Sequence, residues 1–239
     1  MSEPSLVVRR DERDAQGDLL PGHVTEFRRV LRAGGFVLLP SDTAYSVAAW
    51  LHSTRTRRQV NELLNREDEP ISFAFPSPEV VRRWIAKNDT VDRLLKRYTP
   101  GPITVVCRAS PLIPAVVTRD LMGSLNHTVG VRISGSAEER QVAGIGESVI
   151  TTVPVLHLEN ERKPPVASFD EALARIRARI GAFGGAPWCA VEGELQHPRT
   201  STVVEVLSRG GSYTIKRDGV ISRDEIRAFL EGTPGQAGG

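Results

Sequence analysis

The sequence predicts a protein of the mixed α/β or α+β class, in which helices pack on a sheet. Short continuous apolar runs recur along the chain, and such a run, for example residues 36–39, is typical of a strand covered on both faces. Stretches with apolar residues at helical spacing lie irregularly between these runs, and several of them follow apolar strands. No internal repeat and no linker rich in Pro, Gly or Ser divides the chain, so we expect one main domain.

The elements follow in order from local signals. Helices are predicted where apolar residues recur at helical spacing or where a serine can cap a first turn, over residues 24–31, 54–65, 77–85, 90–98, 136–142, 168–180 and 222–230. Strands are predicted over residues 6–8, 36–39, 45–51, 71–75, 103–107, 129–133, 149–155, 188–191, 202–207 and 213–217. Residues 1–20 therefore form a weakly patterned N-terminal extension, residues 21–232 the domain, and residues 233–239 a flexible Gly-rich tail.

Composition bounds the function classes. Of 239 residues, 40% are hydrophobic and 25% charged, which is the balance of a globular protein, and the net charge of +2 is too small to indicate nucleic-acid binding by itself. The two cysteines, Cys107 and Cys189, stand among apolar residues and fit small core side chains rather than a disulfide framework or a zinc site. No apolar run is long enough to span a bilayer and the N-terminus does not read as a signal peptide, so a cytoplasmic protein without membrane contact is expected.

The stretch from Gly34 to Tyr45 is the organising feature. Gly34 and Gly35 can end a helix, residues 36–39 form a buried strand, and Pro40 should end that strand because proline cannot donate to a sheet. The polar residues Ser41, Asp42 and Thr43 then lie at the carboxyl end of a strand, where open α/β sheets commonly bind ligands. The alternative is a turn in which these side chains only satisfy backbone groups.

Three further places carry candidate binding residues. Arg132 lies on an apolar strand, so it must either meet an anion or point out of the sheet. The hydroxyls of residues 200–202 precede another apolar strand and could hold a polar ligand or form a simple turn. Arg217 precedes an Asp-Gly turn signal, where it could bind phosphate or be exposed to solvent.

Several common catalytic signatures do not occur. The sequence has no P-loop and no Gly-x-Ser-x-Gly elbow, and Gly144-Ile145-Gly146 lacks the third glycine and the preceding strand of a dinucleotide site. The five histidines are scattered without ligand spacing, so neither a metal site nor a tightly bound cofactor is expected. No residue stands out as a catalytic acid, base or nucleophile.

Five segments in the same order resemble the YrdC/YciO family, over roughly residues 22–221. They are Gly34 to Tyr45, residues 99–104 (Thr-Pro-Gly-Pro-Ile-Thr), residues 129–133 (Val-Gly-Val-Arg-Ile), residues 201–205 (Ser-Thr-Val-Val-Glu) and residues 215–219 (Ile-Lys-Arg-Asp-Gly). The resemblance implies a YrdC-like fold, a twisted and mostly parallel mixed sheet with flanking helices around a concave, positively lined groove.

The resemblance also implies an activity. Typical members are threonylcarbamoyl-AMP synthases, nucleotidyltransferases that use ATP with magnesium, threonine and bicarbonate and feed threonylcarbamoyladenosine formation on tRNA. Carried over by position, four residues would bind the small substrates and three would bind the nucleotide. The first set is Thr43, Tyr45, Arg132 and Ser201, and the second is Arg66, Thr152 and Arg217.

The nucleotide region departs from the family pattern. Leucine stands where a lysine is expected before Arg66, three acids follow at residues 67–69, and Val153 and Val155 replace a serine and an asparagine. A cationic or metal clamp drives phosphoryl chemistry, so these changes favour a rival hypothesis. In that hypothesis the chain is a catalytically weak, YciO-like paralogue that binds double-stranded RNA, tRNA or a nucleotide. A lysine from elsewhere, such as Lys87, Lys96 or Lys163, would restore the enzyme hypothesis.

Overall fold

The computed structural model describes residues 3–51, 53–66, 71–113, 127–145, 150–155, 165–197, 199–208 and 210–232. The strands are β1 (Leu6–Val8), β2 (Phe36–Pro40), β3 (Tyr45–Trp50), β4 (Ser72–Ala74), β5 (Ile103–Arg108), β6 (Thr128–Arg132), β7 (Ile150–Pro154), β8 (Trp188–Val191), β9 (Thr202–Val206) and β10 (Thr214–Arg217). The helices are α1 (Pro21–Arg32), α2 (Thr54–Leu63), α3 (Pro78–Val81), α4 (Asp89–Tyr98), α5 (Ala137–Ala143), α6 (Phe169–Arg179) and α7 (Arg223–Glu231).

Most elements lie close to their predicted positions, because the local signals act as expected. Gly34 adopts a left-handed φ of 78° after α1, and the serines before α5, α6 and α7 each accept a backbone N–H of the first turn. The helix predicted from Ser77 is shorter than expected. The Ser77 side chain accepts no backbone N–H there, α3 ends at Val81, and Ile85 instead forms an isolated β-bridge with Ala109.

The ten strands of the described residues join one mixed sheet in the order β1-β8-β2-β3-β7-β4-β6-β5-β9-β10. The expectation of a mostly parallel sheet is wrong, because five of the nine strand pairs are antiparallel. The physical reason is visible at β2 and β3. Only four residues, 41–44, connect them, and so short a connection forces a hairpin with antiparallel strands.

The two halves of the sheet are covered differently. In the half that contains β2, both faces are buried: Phe36 and Leu38 pack in one apolar cluster under α2 and α6, and Val37 and Leu39 in another under α1 and α5. In the half formed by β4, β6, β5, β9 and β10, one face packs against α3, α4 and α7. The other face of that half is open to a concave groove.

The alternation of side chains along β9 shows how the groove arises. Val204 and Val206 point into the core beneath α4 and α7, whereas Val203 and Glu205 point to the opposite face and line the groove. The same alternation places Thr104 and Val106 of β5 on the groove face. β5 and β9 therefore turn one apolar face to the core and a second, more polar face to the groove.

The predicted strand at residues 6–8 is present, and it forms the edge of the sheet. β1 pairs in parallel with β8, and Ser5 donates a hydrogen bond to the carbonyl of Trp188. The residues after β1 also contact the domain through ion pairs, of Arg9 with Glu192 and of Arg13 with Glu138. The first described residues of the chain are therefore integral to the sheet. The predicted tail, residues 233–239, lies outside the described residues.

The helices of the described part of the chain are all too short or too polar to cross a bilayer.

Gly35 provides a test of this packing. A Cβ at this position would fall well inside van der Waals distance of the Pro187 carbonyl, which is backbone and cannot move aside easily. We expect Gly35→Ala to lower the free energy of unfolding by about 2 kcal/mol or more. Gly22→Ala is the matched control, because that helical glycine has nothing within 4 Å of an added Cβ. It should raise stability by about 0.5 kcal/mol. Equal effects of the two variants in urea denaturation would contradict the assigned contact.

Candidate functional site

The turn that joins β2 to β3 forms one wall of the site. The Ser41 N–H donates to the Ala44 carbonyl at 2.8 Å, and the Ser41 Oγ accepts the N–H groups of Thr43 and Ala44, each at 3.1 Å. Ser41 therefore satisfies the backbone of the turn, as the simpler interpretation of this motif expects. Asp42 and Thr43 are not used in this way, and their side chains are directed to a partner on a distant strand.

That partner is Arg132, near the end of β6. Its Nη2 donates to Asp42 Oδ1 and, at 3.0 Å, to Thr43 Oγ1, while the N–H of Gly135 donates to Asp42 Oδ2 at 2.9 Å. Asp42 is fully buried and Arg132 is 6% exposed, so the pair is sheltered from solvent. Of the two alternatives for Arg132, the structure selects the one in which the guanidinium meets an anion, and that anion belongs to the protein itself.

Glu139 on α5 adds a second carboxyl group behind Arg132. It is 1% exposed, and its Oε1 lies 4.0 Å from Arg132 Nε. Neither carboxyl oxygen has a hydrogen-bond partner among the described residues. Burial raises the pKa of Glu139, and the attraction of Arg132 offsets this only in part. Arg132 therefore lies between two buried carboxyl groups and donates a hydrogen bond to that of Asp42.

Ser201 and Arg217 form a second wall of the site. Arg217 donates from Nε to the Ser201 carbonyl and from Nη2 to Ser201 Oγ, both at 2.9 Å. The Thr104 and Ser201 hydroxyl oxygens are 3.4 Å apart. A Cβ on Gly219 would overlap the backbone of residues 200–202, so the glycine allows the turn after β10 to approach Ser201 closely.

These walls enclose a cavity of about 390 Å³ on the open face of the sheet. Its lining is rich in hydroxyl groups, from Ser41, Thr43, Ser46, Ser72, Thr104, Thr128, Thr152, Thr200 and Ser201. Among the described residues, four cationic side chains, Arg66, Arg132, Lys216 and Arg217, line it as well, against one carboxylate, Glu205. A concave site with hydroxyl donors and a cationic excess suits a small anionic or polyanionic ligand.

Six of the seven predicted site residues come together in this cavity, from six separate segments of the chain. They are Thr43, Arg66, Arg132, Thr152, Ser201 and Arg217. Their roles in binding stay predictions. The role given to Arg132, bidentate capture of a substrate carboxylate, has to compete with Asp42, which already accepts a hydrogen bond from its Nη2.

Tyr45 is not brought into the cavity. It is fully buried beside Phe169, and its Oη donates to the Gly193 carbonyl at 2.7 Å and accepts the Gly193 N–H at 3.0 Å. Burial raises its pKa. The reason is strand alternation: Tyr45 and Val47 face the cluster under α2 and α6, and Ser46 faces the cavity instead.

The departures from the family pattern are visible in the structure. Leu63 and Leu64 are buried in the core, and Val153 lines the cavity where a hydroxyl is expected. Val155 is buried in the same core cluster as the two leucines. The acidic residues 67–69 and Lys163 lie outside the described residues.

Two charged residues of the cavity were missed by sequence reasoning, Glu205 on β9 and Lys216 on β10. The position of Glu205 could have been predicted from the sequence, because strand alternation along β9 sets Glu205 on the same face as Val203. The position of Lys216 could not, because regular alternation would place it and Arg217 on opposite faces of the strand. Neither Lys87 nor Lys96 is among the lining residues.

The described residues offer few side chains that could bind a metal ion. No group of three or more His, Cys, Asp or Glu side chains converges within the described residues. Magnesium brought to the cavity on nucleotide phosphates would find, in the described part of the lining, the carboxylate of Glu205.

Sequence comparisons place the chain among proteins of this architecture. The family model Sua5/YciO/YrdC, described as "telomere recombination", matches residues 29–219. A putative threonylcarbamoyl-AMP synthase of Methanocaldococcus jannaschii is 26% identical over 102 residues, which are 42% of this chain and 49% of that protein. The threonylcarbamoyl-AMP synthase of Pyrococcus abyssi is 31% identical over 107 residues, which are 43% of this chain and 29% of that protein. The alignments thus span half or less of these curated relatives.

Solved structures agree with the fold. P. abyssi Sua5 in complex with L-threonine matches with a TM-score of 0.72 at 21% identity, over 94% of this chain and 60% of that one. Escherichia coli YciO matches with a TM-score of 0.71 at 15% identity, over 92% of this chain and 97% of that one. At these identities the likeness establishes the shared fold.

The buried carboxyl group of Glu139 predicts a pH dependence of stability. A folded-state pKa raised above the ordinary 4.5 means that the folded protein binds the proton more tightly than the unfolded chain does. The resulting stabilisation is complete below the ordinary pKa and is lost as the pH rises through the folded-state pKa. Glu139→Gln cannot ionise, so its free energy of unfolding relative to the wild type should increase with pH above about 4.5.

Denaturant titrations over a series of pH values measure this difference. Glu194→Gln is the control, because that carboxylate side chain is 78% exposed and its removal should shift stability little at any pH. A stability difference between Glu139→Gln and wild type that stays constant with pH would refute the raised pKa.

Proposed function

The chain belongs to the Sua5/YciO/YrdC family, and on that premise we propose that it is a threonylcarbamoyl-AMP synthase-like nucleotidyltransferase. The observation that carries the proposal is the convergence of Thr43, Arg132 and Ser201 with three further predicted residues in one hydroxyl-rich, cationic cavity. The names of the M. jannaschii and P. abyssi relatives, and the threonine bound to P. abyssi Sua5, support threonine as the amino acid.

The proposed reaction has two steps. The amine of threonine first attacks the carbon of bicarbonate, which forms a carbamate and releases water. A carbamate oxygen then attacks the α-phosphorus of ATP, the bond to the β-phosphate oxygen breaks, and pyrophosphate leaves. The product, threonylcarbamoyl-AMP, would serve threonylcarbamoyladenosine formation on tRNA. Positioning and charge stabilisation supply most of the catalysis in phosphoryl chemistry of this kind.

The hydrogen bonds around Thr43 and Ser201 prepare both hydroxyls to donate. Arg132 donates to Thr43 Oγ1 and Arg217 donates to Ser201 Oγ. Because guanidinium groups only donate, each hydroxyl keeps its own hydrogen for another acceptor. A neighbouring hydroxyl is within reach in each case, at 3.3 Å for Ser41 and Thr43 and at 3.4 Å for Thr104 and Ser201. A carboxylate or carbamate in the cavity would be the stronger acceptor.

The cations on the other walls suit the nucleotide. Arg66, Lys216 and Arg217 line the cavity, and their charges favour the phosphates of ATP with its magnesium ion. A structured-RNA partner and a cytoplasmic location remain expectations of this proposal.

The rival function is a weakly catalytic paralogue that binds RNA or a nucleotide. Val153 in the cavity and Leu64 in the core favour it, because apolar residues there cannot contact phosphate. The extended match to E. coli YciO, over 97% of that chain, agrees with a YciO-like protein. The rival function differs from the first proposal because it predicts no release of pyrophosphate from ATP.

Pyrophosphate release separates the two functions. We expect release from ATP in the presence of bicarbonate, and we expect it to require threonine rather than glycine, alanine or no amino acid. Absence of release with every amino acid, from protein shown by circular dichroism to be folded, would reject the enzyme and favour the rival.

Removing a single hydroxyl tests the substrate pocket. Thr43→Val keeps the shape of the side chain but deletes the donor, so we expect kcat/KM for threonine to fall by about 10-fold to 100-fold, the value of a hydrogen bond to a charged group. Thr25→Val, on the exposed face of α1, is the control and should leave turnover unchanged. Wild-type kinetics in Thr43→Val would remove Thr43 from the substrate site.

A further inference from the structure

The loop that connects β8 to β9 carries part of the second wall of the cavity. β8 and β9 are second and ninth in the order of the sheet, and residues 192–201 join them. The described residues of this β8–β9 loop form neither helix nor strand, and they bring Thr200 and Ser201 to the cavity. The position of these two residues therefore depends on the contacts that the loop makes with the rest of the chain.

The hydroxyl group of Tyr45 holds the beginning of the β8–β9 loop. Its Oη makes two hydrogen bonds to Gly193, one to the carbonyl and one from the N–H, and so satisfies both backbone groups of that residue. Tyr45 and Gly193 are both buried, which strengthens hydrogen bonds between them. A Cβ at Gly193 would lie 2.6 Å from Pro40 Cγ, in a ring that cannot move aside easily, so the contact requires glycine.

Arg13, in the segment that follows β1, contacts the loop at the same point. It forms an ion pair with Glu138 and donates from Nη2 to the Glu192 carbonyl. The side chains of Arg13 and Glu138 are only 11% and 12% exposed, so solvent screens their attraction little. Arg10 adds a hydrogen bond of 3.3 Å from its Nη2 to the Gly193 carbonyl. The N-terminal segment therefore holds the same end of the loop as Tyr45.

The hairpin of β2 and β3 is connected to both walls of the cavity. On one side, the Asp42 carboxylate accepts a hydrogen bond from Arg132. On the other side, the Asp42 carbonyl accepts the N–H of His197 in the β8–β9 loop at 2.8 Å, and Tyr45 binds Gly193. The hairpin is thus in contact with the loop at two points before the loop reaches the cavity.

We propose that Tyr45 is a positioning residue for ligand binding, which fixes the β8–β9 loop together with Arg13 and so sets the distance between Ser201 and Thr43 in the cavity. The inference rests on the proposed function for the identity of the ligand, threonine. A small ligand contacts both hydroxyl groups only when their spacing fits, and a displacement of about 1 Å is enough to weaken such a site strongly.

The two parts of the Tyr45 side chain can be separated by substitution. The ring packs beside Phe169 and contributes to the core, whereas the hydroxyl group contacts only the loop among the described residues. Tyr45→Phe keeps the ring and removes both hydrogen bonds to Gly193. The effect should therefore be concentrated in the β8–β9 loop rather than spread over the whole domain.

Hydrogen exchange of the full chain, measured by mass spectrometry without ligand, tests whether the hydroxyl group fixes the loop. Tyr45→Phe should accelerate exchange in residues 192–202 by about fivefold to tenfold, the value of one or two neutral hydrogen bonds. Residues 103–108 of β5 should keep their wild-type rates. Tyr213→Phe is the matched control, because its hydroxyl group donates to Glu231 on α7 at 2.6 Å and its removal should leave the loop unchanged.

Arg13→Gln tests the second contact with the same end of the loop. It should accelerate exchange in the same residues as Tyr45→Phe. The double variant should show less than the product of the two single effects, because both side chains act on one loop. Acceleration of equal size in the loop and in β5 would show a loss of global stability and would overturn the positioning role.

Isothermal titration calorimetry with threonine tests the consequence for binding. Tyr45→Phe should weaken threonine binding by about threefold to tenfold, although Tyr45 does not line the cavity, and Tyr213→Phe should bind as the wild type does. Faster loop exchange with wild-type affinity for threonine would overturn the proposal. Absence of threonine binding by the wild type would reject the proposed function, whereas the exchange pattern by itself supports or overturns the fixing of the loop.

Discussion

The buried ion pair between Asp42 and Arg132 is the contact on which the shape of the site depends. Asp42 follows β2 and Arg132 ends β6, and β3, β7 and β4 lie between these strands in the sheet. Four strand spacings amount to about 19 Å in a flat sheet, far beyond the reach of an arginine side chain. The sheet must therefore coil until the strand ends converge, and this curvature makes its open face concave. Thr43, next to Asp42, is brought into the cavity by the same contact.

This dependence limits what a substitution of Arg132 can reveal. Its removal would leave Asp42 without its cation in a fully buried position, and breaking one side of such a pair costs about 3–5 kcal/mol. Lost activity would then report lost structure as much as lost substrate contact. Thr43, Ser201 and Lys216 are better probes, because each contributes one group to the cavity without holding the sheet together.

The sequence predicted the local features of the fold and left the long-range ones open. Capping serines, Gly34 and the apolar runs act between neighbours in the chain, so the helices and strands could be placed from them. The partner of Arg132 could not be found, because an apolar strand around an arginine indicates an anion but not which of the carboxylates across the sheet supplies it. Strand direction was missed for a similar reason: the pattern of one strand does not specify its neighbour, and six of the nine described pairings join strands that are not consecutive in the chain.

Within the site, the residues that sequence reasoning misplaced depend on backbone register. Tyr45 and Ser46 are consecutive residues of β3 and point to opposite faces of the sheet. Only the pairing of β3 with β2 and β7 decides which of the two side chains faces the cavity. Lys216 reaches the cavity because of a bulge, which is a property of two paired strands and leaves no mark in the sequence of either. Of the six carried-over residues that line the cavity, Thr152 stands in the middle of β7, and the others stand at strand ends or outside strands, where the exact register matters less: Thr43, Arg66, Arg132, Ser201 and Arg217.

The cavity also has a direction, and the direction constrains how any ligand would lie in it. Thr43, Ser46 and Ser201 are at most 6% exposed, whereas the Lys216 side chain is 53% exposed. The deep end therefore offers hydroxyl groups in a site sheltered from water, where hydrogen bonds are strong and selective. The open end offers cations that solvent screens, where a highly charged group can bind while it stays partly hydrated. A ligand with a small polar head and a polyphosphate tail matches this gradient in one orientation, with the head toward Thr43 and the tail toward Lys216.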